Sequence, residues 1–188
     1  INLHKLEEYD HVVYNMGNYA GNHHEIWELM QQYPSVVLMH DQMMQNFFSQ
    51  ISMLPEFGGN GQTGEKVFSK LMRTYYGERG EAAAKANFKP YYGENLVRIW
   101  DSDAALAYPL FEPLLTSAKA VFTHAAFFQK RLNKYFYGPT GYAYLPYFQK
   151  ASQLNGKLPS EFIGSGKALV VSTGIVHPVK RIDRVAEM

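Results

Sequence analysis

The stretch HVVYNMGNYAGNHHEIWELMQQYPSVVLMHD, residues 11–41, decides the reading of the fold. His11 to Met16 is a short β-branched and aromatic run, closed by Gly17-Asn18. Such a run has the composition of a strand. Asn22 then reads as a helix N-cap, with Glu25 three residues on as its capping-box partner. Ile26, Leu29, Met30 and Tyr33 follow at helical spacing and define one apolar face. Pro34 stops that helix, since its ring removes a donor and clashes with the preceding turn. Ser35 to Met39 is a continuous apolar run, the pattern of a strand buried on both faces of a parallel sheet. Strand, helix and strand within about thirty residues make a βαβ unit. Ligands of such sheets bind beyond the carboxyl ends of the strands, where Gly17-Asn18 and His40-Asp41 both fall.

Outward from this unit the middle of the chain reads as helical. Gln42 to Leu54 is one predicted helix. Pro55 to Gly64 (PEFGGNGQTG) is a glycine-rich segment expected to be a flexible loop. Glu65 to Tyr76 is the next helix, with Val67, Phe68, Leu71, Met72 and Tyr75 as its apolar stripe. Glu81 to Asn87 and Asp103 to Ser117 are further helical segments, the latter kinked by Pro109 and Pro113. The sheet pattern resumes with a strand at Lys119 to Thr123, ended by His124, a helix at Ala125 to Phe136, and a strand at Gly141 to Leu145. The expected architecture is therefore α/β: a Rossmann-like parallel sheet with flanking helices and a helical insertion at about 42–117. Residues 1–150 form this domain and 151–166 a polar linker. Residues 167–188 begin a second domain, with a strand at Ala168 to Ser172, a turn at Thr173 to Pro178 and a helix from Val179.

Composition narrows the function classes. Hydrophobic residues are 46% of the chain and charged residues 19%, enough apolar matter to build a core. A net charge of +1 argues against a dedicated nucleic-acid binder. The absence of cysteine excludes disulfides, thiolate metal sites and a cysteine nucleophile, and fits a cytoplasmic protein. No apolar run reaches the roughly 20 residues that span a bilayer. The polar start, Ile1 to Asp10, does not read as a secretory signal, and the lack of an initiator Met suggests an earlier native start. Fourteen Tyr and twelve Phe suit either a sugar-lining groove or an ordinary core.

Three motif candidates remain. Gly59-x-x-x-x-Gly64-Glu65-Lys66 approaches a phosphate-binding P-loop, but Lys66 is one place late and no Ser or Thr follows it. His24-Glu25 opens like a zinc-protease helix, but position 28 is Glu28, so the required histidine pair is absent. Gly174 followed by Lys180 and Arg181 is the third candidate. Strand, glycine turn, basic pair and helix place cations and free backbone N–H groups together, an arrangement suited to a diphosphate. A solvated basic helix start is the alternative there, and a histidine satisfied by a backbone carbonyl is the alternative at His40.

Four pieces together resemble the retaining glycosyltransferases of family 4, which have the two-domain GT-B fold. The first runs from Tyr14-Asn15-Met16-Gly17-Asn18 through His24 and Ile26 to Pro34–Asp41 (PSVVLMHD). The others are Ala120 to Ala125 (AVFTHA), Leu145-Pro146, and Val170 to Asp183 (VVSTGIVHPVKRID). Ala125 stands where the family usually has Ser, and Ile175 where many members have Arg. The resemblance implies most of the N-terminal domain and the start of the C-terminal domain of a longer enzyme. It implies sugar transfer from a nucleotide diphosphate to a hydroxyl with retention of configuration, without metal or cofactor. It makes His40 and Asp41 the catalytic candidates. Gly174, Lys180 and Arg181 become the donor-phosphate contacts, and Asn18, His24 and His124 candidate acceptor or sugar contacts. The implied partners are a sugar nucleotide and a glycan, lipid-linked or small-molecule acceptor, with no nucleic acid. A cytoplasmic protein is expected, with peripheral membrane contact if the acceptor is a lipid. Two rival readings are a GT-B-type sugar-nucleotide epimerase and a non-catalytic Rossmann-like module binding a glycan or protein partner.

Overall fold

Four parallel strands in the order β1-β2-β3-β4 form the sheet: β1 Val13–Met16, β2 Ser35–Met39, β3 Ala118–Thr123 and β4 Thr140–Tyr142. The computed structural model describes residues 3–87, 102 and 104–144. Helix α1 (Ala20–Gln32) joins β1 to β2, and α6 (Ala126–Leu132) joins β3 to β4. Between β2 and β3 stand α2 (Gln45–Met53), α3 (Gly64–Asn87), α4 (Ala104–Ala107) and α5 (Glu112–Leu115). The fold is α/β and Rossmann-like, as the alternation of patterns predicts.

Register aligns the ends of the strands. Tyr14 pairs with Val37 and Met16 with Met39, then Val37 with Val121 and Met39 with Thr123. These residues share one face and are all buried. With Met30, Phe47, Phe68, Met72, Leu110, Phe111, Leu114, Phe128 and others they form a single apolar core. Each such large side chain taken from water contributes roughly 1.5–3 kcal/mol, so this face holds the sheet to its helices. Strand order explains the one-sidedness. When parallel strands succeed one another in one direction, right-handed crossovers put every connecting helix on the same side. The opposite face carries Val13, Asn15, Val36, Leu38, Ala120 and Phe122, none of which belongs to that core.

Several local expectations change. Helix α1 begins at Ala20, with Tyr19 as its N-cap and no side-chain cap, so Asn22 lies inside the helix and the capping box with Glu25 does not form. The N-terminal donor of Ala20 is satisfied from elsewhere: its N–H donates to Gln50 Oε1 at 2.7 Å. The predicted helix at 103–117 is two short helices, broken where Leu110 takes φ 60°. Val67, expected on the buried stripe of α3, is 52% exposed, whereas Phe68 and Met72 are fully buried. The break between the two predicted helices at 76–81 is a kink at Gly77, whose φ of 65° suits glycine.

The glycine-rich segment is a packed turn. Gly59 N–H donates to Leu54 O at 3.0 Å and Asn60 N–H to Ser52 O at 3.0 Å. Asn60 Oδ1 accepts from the Gln62 and Thr63 N–H groups. A Cβ on Gly59 or Gly64 would stand 2.5–2.6 Å from the Ser52–Met53 backbone. The glycines therefore serve close approach to α2, and this turn does not surround an open phosphate cradle.

Candidate functional site

Period-two alternation brings three side chains to one corner of the sheet. Asn15 pairs with Leu38, and Leu38 with Phe122. His40 and His124 each follow two residues later in their strands' direction. All three therefore rise from the same face at the carboxyl ends of β1, β2 and β3. The His40 and His124 rings lie 4.9 Å apart, tilted by 45°. His40 Nε2 donates to the Asn15 side-chain carbonyl. Its backbone N–H donates to Met16 O at 2.9 Å, which fixes where the strand ends.

His124 is anchored through Nδ1, which donates to Ala143 O at 2.7 Å. A carbonyl oxygen only accepts, so Nδ1 carries the proton. In the neutral ring Nε2 is then an acceptor. That atom is buried and has no hydrogen-bond partner among the described residues. Leaving a buried polar atom unsatisfied costs about 1–3 kcal/mol, which makes this nitrogen the most conspicuous acceptor of the corner.

Asp41 closes the corner from the side of the β1–α1 turn. Its Oδ2 accepts the Asn18 N–H at 2.9 Å. His23, in the first turn of α1, donates from Nδ1 to Asn15 O at 3.1 Å. Burial holds the His23 pKa below the usual histidine value, and nearby His40 adds to that, against the Asn15 carbonyl and Asp41. Gly17 is what lets these groups meet: a Cβ there would stand 2.7 Å from His23 Nε2 and 3.2 Å from Asp41 Oδ2.

Asn18 acts in the scaffold. Its Oδ1 accepts the Phe47 N–H at 3.0 Å near the start of α2, and its carbonyl accepts from Asn46 Nδ2 at 2.9 Å. The loop after β1 is thereby tied to α2. His24 stands apart from His40. Its Nε2 is 3.7 Å from Glu28, its ring is 5.3 Å from that of Phe57, and it lines a small polar cleft with Glu25 and Glu56. Gly174, Lys180 and Arg181 lie outside the described residues, as do the linker and the second-domain strand and helix.

Of the predicted residues, then, His40, Asp41 and His124 come together with Asn18 beneath them. Asn15 and His23 join them without having been singled out. Strand parity held the signal for Asn15: it sits at the outward position of β1, one residue before the buried Met16. No sequence signal separated His23 from His24, because the expected cap at Asn22 put both at the very start of the helix, whereas α1 begins three residues earlier. Among the described residues no group of three or more His, Asp or Glu is arranged to hold a metal ion. No helix among them is long and apolar enough to cross a membrane.

The chain matches no protein-family model, no curated protein and no solved structure at a significant level.

Proposed function

We propose that this chain supplies the acceptor-side half of a glycosyltransferase that moves a sugar from a nucleotide diphosphate to a hydroxyl with retention of configuration. The reading rests on the corner formed by Asn15, His40, Asp41 and His124, and above all on the unpartnered Nε2 of His124. What this corner offers is mostly hydrogen-bond acceptors. His124 Nε2 is one and the second oxygen of Asp41 another. In the neutral His40 ring, Nδ1 is a third. A sugar presents a row of hydroxyl donors and meets such a set favourably. A phosphate presents acceptors and negative charge, and the Asp41 carboxylate repels it. The corner therefore suits the transferred sugar or the acceptor hydroxyls, while the diphosphate belongs with cations such as Lys180 and Arg181.

In this reading His40 and Asp41 hold and polarise the hydroxyls around the reacting carbon. His124 fixes one further hydroxyl, and the Asn15 side chain sets the orientation of His40. The resemblance to family 4 glycosyltransferases supports the same assignment. The test is a panel of nucleoside-diphosphate sugars presented to the whole protein, with product anomers read by NMR. The expected result is release of nucleoside diphosphate with a product of the donor's anomeric configuration. An epimerised sugar formed without any acceptor would place the protein with the epimerases. Absence of sugar-nucleotide binding by calorimetry would favour the non-catalytic module.

A further inference from the structure

A second concavity lies among α1, α2 and α3 and shares no lining residue with the histidine corner. Its volume is about 590 Å³, within the range of small-molecule sites. Trp27 of α1, Phe48 and Ile51 of α2 and Leu71 of α3 form its apolar wall. Trp27 and Phe48 meet edge to face at 5.4 Å, and Phe48 meets Phe47 at 5.1 Å, so that wall is fixed by the core behind it. The turn at Gly58-Gly59-Asn60 closes one end, held to α2 by the hydrogen bonds of Gly59 and Asn60.

Among the described residues, the single charged side chain lining this groove is Lys70. It makes no ion pair among the described residues, whereas Arg73, three positions on, is tied to Glu81 at 3.0 Å. Lys66 stands one turn before Lys70 on the same side of α3, which adds positive potential at the rim. Thr74 cannot lend its proton, since Oγ1 donates to Lys70 O at 2.9 Å. The groove thus joins an aromatic and aliphatic wall to one unpaired ammonium group.

We propose that this groove binds a monoanionic amphiphile, an aliphatic carboxylate whose head meets Lys70 and whose chain lies against Trp27, Phe48, Ile51 and Leu71. Charge complementarity selects an anion over a cation, and the apolar wall selects a chain over a compact polar ion. The site is independent of sugar transfer.

Trp27 reports directly on occupancy. In a Trp100→Phe background its emission is titrated with dodecanoate below the micelle concentration, beside dodecanol and dodecyltrimethylammonium. The expected result is a saturable emission change with dodecanoate. Lys70→Gln should weaken dodecanoate about threefold, the worth of an exposed ion pair, and leave dodecanol unaffected. The cationic amphiphile should bind about tenfold more weakly than dodecanoate, attraction having become repulsion of similar size. Val67→Glu, at a rim position already 52% exposed, should also weaken dodecanoate without unfolding the protein. Circular dichroism checks the fold of each variant. No saturable change in a folded protein, equal binding of anion and cation, or undiminished binding in Lys70→Gln each overturns the proposal. So does a Trp27 shift that depends on protein concentration alone, which would assign the groove to a second copy of the chain.

Discussion

The imidazoles of His40 and His124 face each other at 4.9 Å across the carboxyl ends of two neighbouring parallel strands. They are anchored differently. His40 is held by the Asn15 side chain, and His124 by a backbone carbonyl, with its second nitrogen buried and unpartnered. The pair thus combines an exposed ring held by a side chain with a ring fixed by the backbone at the end of β4.

His40→Ala is expected to lower kcat/KM for sugar transfer by the whole protein at least about tenfold, the effect of losing a hydrogen bond to the transition state worth about 1.4 kcal/mol. His40 is exposed and outside the core, so thermal stability should change little. Steady-state kinetics beside a melting curve separate the two. Unchanged kinetics would remove His40 from the site.

The His23 pKa is depressed in the folded state, chiefly by burial. Below its usual value of about 6.5 the unfolded chain binds a proton that the folded chain resists. Stability therefore declines as pH falls through that value and levels off below the folded pKa. His23→Gln, which can still donate to Asn15 O, should flatten this part of the profile. Melting temperatures at pH 8 and pH 5 for the two proteins, compared as a difference of differences, check it. An identical acid-side loss in the variant would rule the linkage out.

Glu112 has the opposite sign. Burial raises its pKa from the ordinary 4.5, although the hydrogen bond from Tyr76 Oη at 2.5 Å and the proximity of Arg131 act against that. The folded state resists losing this proton. Its contribution to stability is intact below pH 4.5 and diminishes as pH rises through the folded pKa. Glu112→Gln keeps an acceptor for Tyr76 and should stabilise the protein near neutral pH relative to acid. Urea midpoints across that interval measure it. Tyr76→Phe, in contrast, should cost about 1–3 kcal/mol, because Leu110 N–H loses its acceptor at 2.6 Å.

Gly59→Ala should destabilise by about 1–3 kcal/mol, the range for an overpacked site. The new Cβ would stand 2.6 Å from the Met53 nitrogen and the Ser52 carbonyl carbon, and backbone yields little. Gly17→Ala should be milder for stability, because the atom it meets first belongs to the His23 ring, which can turn. The cost there should fall on the histidine corner instead. Denaturant titration of both variants ranks them, and a larger loss at Gly17 would contradict the order.

The sheet itself was written locally. Ser35–Met39 is a continuous apolar run with Pro34 before it, and the shorter apolar stretch within Ala118–Thr123 carries the same strand pattern less strongly. His40, Asp41 and His124 were legible as strand-end residues for the same reason, since period and chain order alone place them. The start of α1 was not legible. Asn22 has the right chemistry for a cap, but Gln50, thirty residues away, supplies the acceptor at Ala20 and the helix starts three residues earlier. That shift turns His23 towards Asn15 and leaves His24 to Glu28 and Phe57. The glycine-rich segment likewise read as loose, because close approach of its backbone to α2 is a contact between distant parts of the chain. Local pattern set which residues became strands and helices. Long-range hydrogen bonds and packing decided which side chains face one another, because those energies exist only once separate elements have met.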